Sequence, residues 1–186
     1  MSTLTVQNIQ GSSSSGNTIS VASGHKISGA AGSIAVPGSV IQVQHSSFSN
    51  QMSSASGTQA ATGMAMNFTP HKANSKLLCR LVIGGVHNGS ASSGWNLYLY
   101  RDGSGITESG LDTASGHEGR FHYAVAYNTG GASIMEVSCE VLLSANSTSQ
   151  TNIALWGSRY GSGTSYINVN NGAGDRSFMT IMEIAQ

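Results

Sequence analysis

Apolar and polar residues alternate with a period of two along almost the whole chain, and no convincing helical spacing interrupts that pattern. Clear examples are "TLTVQNI" (3–9), "NTISVA" (17–22) and "GWNLYLYRDG" (94–103). A two-residue period places successive side chains on opposite faces of a β-strand. Clusters rich in Gly and Ser separate these segments and indicate turns. The sequence therefore predicts an all-β protein.

The strand signals become stronger from residue 76 onward. The stretch "KLLCRLVIGGV" (76–86) is apolar on both faces except at Arg80, which predicts a central strand packed on both sides. Arg101-Asp102-Gly103 predicts a hairpin turn. Short strands separated by turn signals predict an antiparallel β-sandwich that is jelly-roll-like. We expect strands in residues 39–48, 64–68, 76–86, 94–101, 120–127, 132–143, 152–160, 164–170 and 177–185.

We expect the first 36 residues to form a separate N-terminal arm of short β-repeats and residues 37–186 to form the sandwich domain. Pro37-Gly38 marks the turn at the boundary. The arm has eight large aliphatic residues, each stabilising by at most about 1.5 to 3 kcal/mol when buried. Ordering its backbone costs about 1 to 2 kcal/mol per residue, so it cannot fold alone. It is either disordered or buried against other chains, and its alternation favours burial in a homo-oligomer. Candidate oligomer or attachment contacts are Leu4, Val6, Ile9, Ile19, Val21 and Ile27.

Charge is scarce, at 9% of residues against roughly 25% in typical soluble domains. Eight basic and eight acidic residues cancel, so we expect no nucleic-acid partner. No apolar run approaches the roughly 20 residues of a membrane span, and the N-terminal sequence lacks a secretory-signal pattern. We expect no membrane insertion and synthesis in a cytoplasm. Cys79 and Cys139 lie in apolar runs and are expected to be free thiols.

Catalytic and metal-binding patterns are weak. His117 and His122 in "HEGRFH" are five residues apart in a Gly-rich loop, whereas a zincin needs a spacing of four on a helix. Glu136 and Glu140 share one face of a strand, as a solvated or inter-subunit surface would. The sequence contains no nucleophile elbow and no phosphate-binding loop. We therefore expect a non-enzymatic protein without cofactor or metal, and a paired-carboxylate glycosidase remains the enzymatic alternative.

Aromatic residues concentrate in the second half of the chain, near Gly-, Ser- and Asn-rich loops. Aromatic rings bury large areas with few rotamers, so they suit sugar stacking and protein interfaces. They equally suit a sandwich core with one ring per strand. We assign Trp95 and Trp156 to the core. Tyr98, Tyr100 and Tyr160 are candidate surface-recognition residues, with core packing as the alternative.

Several segments together resemble virion structural proteins of tailed bacteriophages, especially marine ones, of the tail-fibre-like or virion-surface type. They are the N-terminal pattern "STLTVQNIQG" with "GNTISVASGHKISG", the connector "IAVPGSVIQVQ" (34–44), "FTPHKANSKLLCRLVIGG" (68–85), and the ending "FMTIMEIAQ" (178–186). The resemblance covers most of the chain except residues 50–67 and variable loops between 86 and 175. It implies N-terminal repeats before a β-sandwich head, a location in the virion, and no catalytic residues.

The resemblance implies that the few aliphatic side chains of the arm are buried against neighbouring chains, most simply in a homotrimer. The first hypothesis is a tail-fibre or spike protein that binds other virion proteins and contacts a host surface glycan or protein. The alternative is a capsid decoration or cement protein that stabilises the shell. A polysaccharide depolymerase is a third, enzymatic alternative.

Overall fold

The computed structural model describes residues 21–25, 29, 36–89, 92–108, 110–128, 134–168 and 176–186. The chain divides into two compact units, Met1–Ile34 and Ala35–Gln186. Within the described part of the second unit all regular structure is β-strand. The strands are β1 Val40–Phe48, β2 Met52–Ser54, β3 Ala60–Phe68, β4 Lys76–Asn88, β5 Ser93–Arg101, β6 Ser104–Gly105, β7 Arg120–Asn128, β8 Ile134–Ser144, β9 Thr151–Gly161, β10 Ser165–Ile167 and β11 Ser177–Ile184.

The first unit is described only at residues 21–25 and 29. There the backbone N–H of His25 donates to the carbonyl of Ala22 at 3.1 Å and closes the expected Ser-Gly turn, in which Gly24 has φ +82°. The side chain of Val21 is 47% exposed. The other candidate arm contacts, Leu4, Val6, Ile9, Ile19 and Ile27, lie outside the described residues, and so does the strand pattern at 3–9.

The strands of the second unit form two antiparallel sheets. The first sheet has the order β1-β11-β4-β8, and the short strands β2 and β10 extend it beside β4. The second sheet has the order β3-β9-β5-β7, with β6 paired to β5. Eight strands have eight or more residues. When these eight are renumbered from 1 to 8 in chain order, the two sheets have the orders 1-8-3-6 and 2-7-4-5. This is the connectivity of a jelly roll, and the predicted antiparallel sandwich is confirmed.

The core lies between the sheets and is filled by alternate residues of the long strands. On β4 the inward residues Leu77, Cys79, Leu81 and Ile83 are fully buried. Trp95 is also buried, as predicted, and its indole N–H donates to the carbonyl of Tyr166 at 3.0 Å. A Cβ on Gly157 would lie 2.4 Å from the Trp95 ring, so the core accepts the indole only because residue 157 has no side chain. The largest fully buried side chains are Trp95, Tyr98, Phe68, Met64, Leu77, Leu81, Ile83, Leu97, Leu99, Leu143, Ile153 and Leu155.

Strand β4 differs from its prediction on its second face. Its odd-numbered residues enter the core, but Leu78, Arg80 and Val82 lie on the outer surface of the first sheet. The strand is central because β11 and β8 flank it, while only one of its two faces is covered within the described protein.

The cysteines and the second predicted turn agree with expectation. Cys79 and Cys139 are both free, and burial raises the pKa of Cys79 to about 12, so its thiol stays protonated. Asp102 and Gly103 have φ +51° and +81°, the left-handed pair that a two-residue hairpin turn requires.

Candidate functional site

The outer face of the second sheet carries a concentration of aromatic side chains that we call the aromatic face. On β9 the residues Ile153 and Leu155 point into the core, so Trp156 and Tyr160 point outward. Register places Tyr98 beside Trp156 and Gly94 beside Tyr160. Strand β7 adds two further exposed tyrosines. The aromatic face consists of Tyr98, Tyr100, Tyr123, Tyr127, Trp156 and Tyr160.

One end of the aromatic face contains a groove of about 540 Å³. Its floor is formed by strands β5 and β9, and its walls come from two loops. One wall is the segment 57–59 before β3, and the other is the segment 116–118 before β7. The lining residues are Gly57, Thr58, Gln59, Asn96, Tyr98, Tyr100, Gly116, His117, Glu118 and Trp156.

A stacked pair of rings forms the centre of this groove. The rings of Tyr100 and Trp156 are nearly parallel, with centroids 4.3 Å apart and 8° between their planes. The Tyr100 hydroxyl donates to Oε1 of Gln59, whose Nε2 donates to the carbonyl of Gly116 at 2.7 Å. Gln59 therefore links the ring pair to both walls. Burial and the nearby Glu118 carboxylate raise the pKa of Tyr100, which keeps its hydroxyl protonated at neutral pH.

The second wall is held against the sheet by close backbone packing. Gly119 has φ +81°, and a Cβ there would lie 2.3 Å from the carbonyl oxygen of Leu99. The same contact allows the Leu99 N–H to donate to the Gly119 carbonyl at 2.8 Å. Asp112 accepts from the backbone of Ala114 at 2.9 Å and pairs with Arg120, and these contacts lower its pKa. The wall that presents His117 and Glu118 is thus a fixed part of the fold.

The other end of the aromatic face is a cluster of three tyrosines. The ring of Tyr160 lies edge-on to Tyr123 at 4.8 Å and to Tyr127 at 5.4 Å. The Arg120 guanidinium lies 5.0 Å from the centre of the Tyr123 ring, which is cation–π geometry. Tyr123 and Tyr127 are 59% and 42% exposed, so this cluster offers ring area to solvent.

The structure brings the three predicted recognition tyrosines onto the same face, with one correction. Tyr100 and Tyr160 are partly exposed, and their role in recognition stays a prediction. Tyr98 is only 2% exposed, with its hydroxyl 3.4 Å from Ser158 Oγ, so it supports the groove floor and cannot offer a free ring. The core assignment of Trp156 is wrong. Trp156 lies on the same side of β9 as the polar residues Asn152 and Ser158, since all three are even-numbered. This alternation could have indicated that the ring points outward.

The outer face of the first sheet carries a row of apolar side chains. Val43, Met182, Leu78 and Leu142 are direct neighbours across four adjacent strands. Directly paired residues project from the same side of a sheet, so the four form one continuous band, which we call the apolar row. Val43 and Leu142 are 57% and 45% exposed.

Further apolar and charged residues lie beside the apolar row on the same face. Phe178 and Val82 pair four residues further along their strands, and Val40 pairs with Ile184 on the other side of the row. Between them the cross-strand neighbours Arg80 and Glu140 are both exposed. They form no ion pair within 4 Å among the described residues. Phe178, Thr180, Met182 and Ile184 lie in the strand predicted at 177–185. The apolar row could not be predicted from the sequence, because it crosses four strands that are distant in sequence.

Other candidate chemistry is dispersed. Among the groove residues that the structure describes, Glu118 is the one carboxylate. In the described part of the chain no three His, Cys, Asp or Glu side chains gather closely enough to hold a metal ion. The described residues likewise include no helix long and apolar enough to cross a membrane.

Comparisons with known proteins give a weak likeness in structure alone. No family model matches the sequence, and no curated protein matches it. One similar solved structure is that of infectious bursal disease virus, Gx strain, at 13% identity and a TM-score of 0.37, covering 79% of this chain and 37% of that one. Another is the VP2 subviral particle of infectious bursal disease virus, at 11% identity and a TM-score of 0.32, covering 87% and 42%. This chain therefore spans less than half the length of either, and a likeness at these scores does not extend to function.

Proposed function

We propose that this protein is a non-enzymatic structural component of a tailed-phage virion, a homotrimeric surface appendage of tail-fibre or spike type that takes part in host attachment. The observation that carries the proposal is the apolar row across the outer face of the first sheet. Four neighbouring strands each contribute one apolar side chain to it. A solvated sheet face normally carries polar residues at such positions.

Burial against other copies of the chain accounts for this face. Contiguous exposed apolar surface marks interaction sites on soluble proteins. Arg80 and Glu140 lie beside the apolar row on every copy, so each charge can meet its opposite on a neighbouring subunit. We therefore assign the first sheet to assembly and the aromatic face to contact with the host.

The sequence resemblance supports the proposed location in a phage virion. Jelly rolls occur in viral capsid proteins and also in lectins, and a fold by itself does not decide function. The connector at 34–44 and the ending at 178–186 are the segments that resemble virion proteins of tailed phages. Both segments contribute strands to the first sheet. The connector contains the start of β1, and the ending contains all of β11 except its first residue.

A density map of the whole virion tests this function. We expect a trimer of jelly rolls on the tail or its fibres, with the first sheet at the subunit contacts and the aromatic face outward. Several hundred copies distributed over the head would instead establish the decoration alternative. Purified virions without this protein, as judged by mass spectrometry, would overturn both assignments.

A further inference from the structure

We propose that the groove on the aromatic face is a binding site for a neutral glycan, with one pyranose ring stacked on the Trp156–Tyr100 pair. This deepens the proposed host attachment by naming the class of receptor. The site itself is a property of the isolated chain. Its volume of about 540 Å³ lies within the range of roughly 300–1,000 Å³ that small-molecule sites span.

The ring pair is a preorganised platform. The apolar C–H face of a pyranose is attracted to the electron-rich face of an aromatic ring, and binding costs least when that ring is already fixed. The Trp156 ring is held by stacking on Tyr100, which is held in turn by Gln59 and the Gly116 carbonyl. Beside Trp156 the paired residue on β3 is Ala61, a small side chain that leaves the indole accessible.

Polar residues line the groove together with the ring pair and could bind sugar hydroxyls. Thr58 and His117 stand on opposite walls, and Glu118 adjoins Tyr100. The Glu118 carboxylate has no hydrogen-bond partner among the described residues, and a carboxylate accepts readily from a pair of vicinal hydroxyls. An aromatic floor with a few convergent polar groups is the usual composition of a ligand site.

Charge selects a neutral sugar over an anionic one. The groove lining includes the Glu118 carboxylate and no Lys or Arg among the described residues. Sialic acids, uronic acids and phosphorylated sugars would bring a like charge close to Glu118 without a cation to compensate it. The basic residue on this face, Arg120, is paired with Asp112 and lies over Tyr123 in the other cluster.

The experiment titrates purified full-length protein with cellotriose, maltotriose, mannotriose, chitotriose and a galactose trisaccharide, with 3′-sialyllactose as the anionic comparison. Binding is followed by tryptophan fluorescence and by calorimetry. The only other indole, Trp95, is 2% exposed, so a change in fluorescence reports on Trp156. The matched variants are Trp156→Ala, Trp156→Phe and, as a control outside the aromatic face, Ile134→Ala at a 59% exposed position of β8.

We expect at least one neutral trisaccharide to bind, with affinity reduced about tenfold or more by Trp156→Ala, less by Trp156→Phe, and unchanged by Ile134→Ala. Melting curves of the variants exclude unfolding as the cause. Absence of Trp156-dependent binding up to about 10 mM for every neutral probe, or preference for the sialylated probe, would overturn the proposal. Glycan binding by a protein that is missing from virions would leave this site standing and remove only the proposed function.

Discussion

At the scale of single residues, Glu183 shows how one buried carboxylate fixes a long connection. Its two oxygens accept from the backbone N–H groups of His71 and Lys72, the Ser75 hydroxyl and the Gln42 amide, at 2.7–2.9 Å. Burial raises the pKa of Glu183, but these hydrogen bonds outweigh it, and the net shift is downward. The carboxylate thus closes the turn between β3 and β4 at one end of the sandwich.

We predict that Glu183→Gln lowers the free energy of unfolding at pH 7 by about 3 kcal/mol, because an amide presents donors to groups that are themselves donors. The folded pKa lies below the unfolded value of about 4.3, so Glu183 stabilises fully above that value. This stabilisation is lost as the pH falls through the folded pKa. Urea denaturation between pH 7 and pH 3 measures both effects.

The control for this prediction is Glu136→Gln, an identical change at an exposed position of β8. It should leave the stability at pH 7 unchanged and keep the acid dependence of the parent. If Glu183→Gln shows the same loss of stability between pH 5 and pH 3 as the parent, Glu183 is not the group responsible.

At the scale of secondary-structure elements, the β5–β6 hairpin is joined to β9 through its turn. Asp102 accepts from the Thr151 hydroxyl at 2.9 Å and from the Asn152 backbone N–H at 2.7 Å. Its own N–H donates to the Asn152 carbonyl at 2.9 Å. One residue therefore shapes the turn and fixes the neighbouring strand.

We predict that Asp102→Ala lowers the free energy of unfolding by about 2 kcal/mol, through left-handed strain and two lost hydrogen bonds. Asp102→Asn should cost less than half of that, because Asn tolerates the positive φ and keeps a side-chain acceptor. Chemical denaturation of both variants tests the order. If both variants lose the same free energy of unfolding, neither the left-handed strain nor the side-chain acceptor at residue 102 accounts for the loss.

Alternation within one strand could be predicted from the sequence, and relations between strands could not. The long strands and the Asp102-Gly103 turn follow from local pattern and turn chemistry. Residues 60–63 show little strand pattern because three of the four are Ala or Gly, yet pairing with β9 extends β3 to Ala60, with a bulge between Ala61 and Ala65. The groove unites loops at 57–59 and 116–118 with strands β5 and β9, and only the register of the sheet brings them together.

At the scale of the whole molecule, the two outer faces of the sandwich have different characters. The second sheet presents rings and hydrogen-bonding groups around a groove, whereas the first presents the apolar row with Arg80 and Glu140 beside it. A protein with so few charges can keep these functions apart, because neither face has a strong field that would attract partners indiscriminately.

This division predicts that a charge in the apolar row weakens self-association and leaves the fold intact. Val43 is 57% exposed on edge strand β1, so Val43→Lys removes little core packing. In an assembled trimer the same lysine would be buried without a partner, and we expect the dissociation constant to rise at least about tenfold.

Ser47→Lys, on the same face of β1 beside Phe178, adds the same charge outside the row and should change the dissociation constant less. Mass photometry across a dilution series, with melting curves as the check on folding, measures the difference. If the parent is a monomer at all concentrations, or both lysine variants dissociate alike, the apolar row is not the subunit contact.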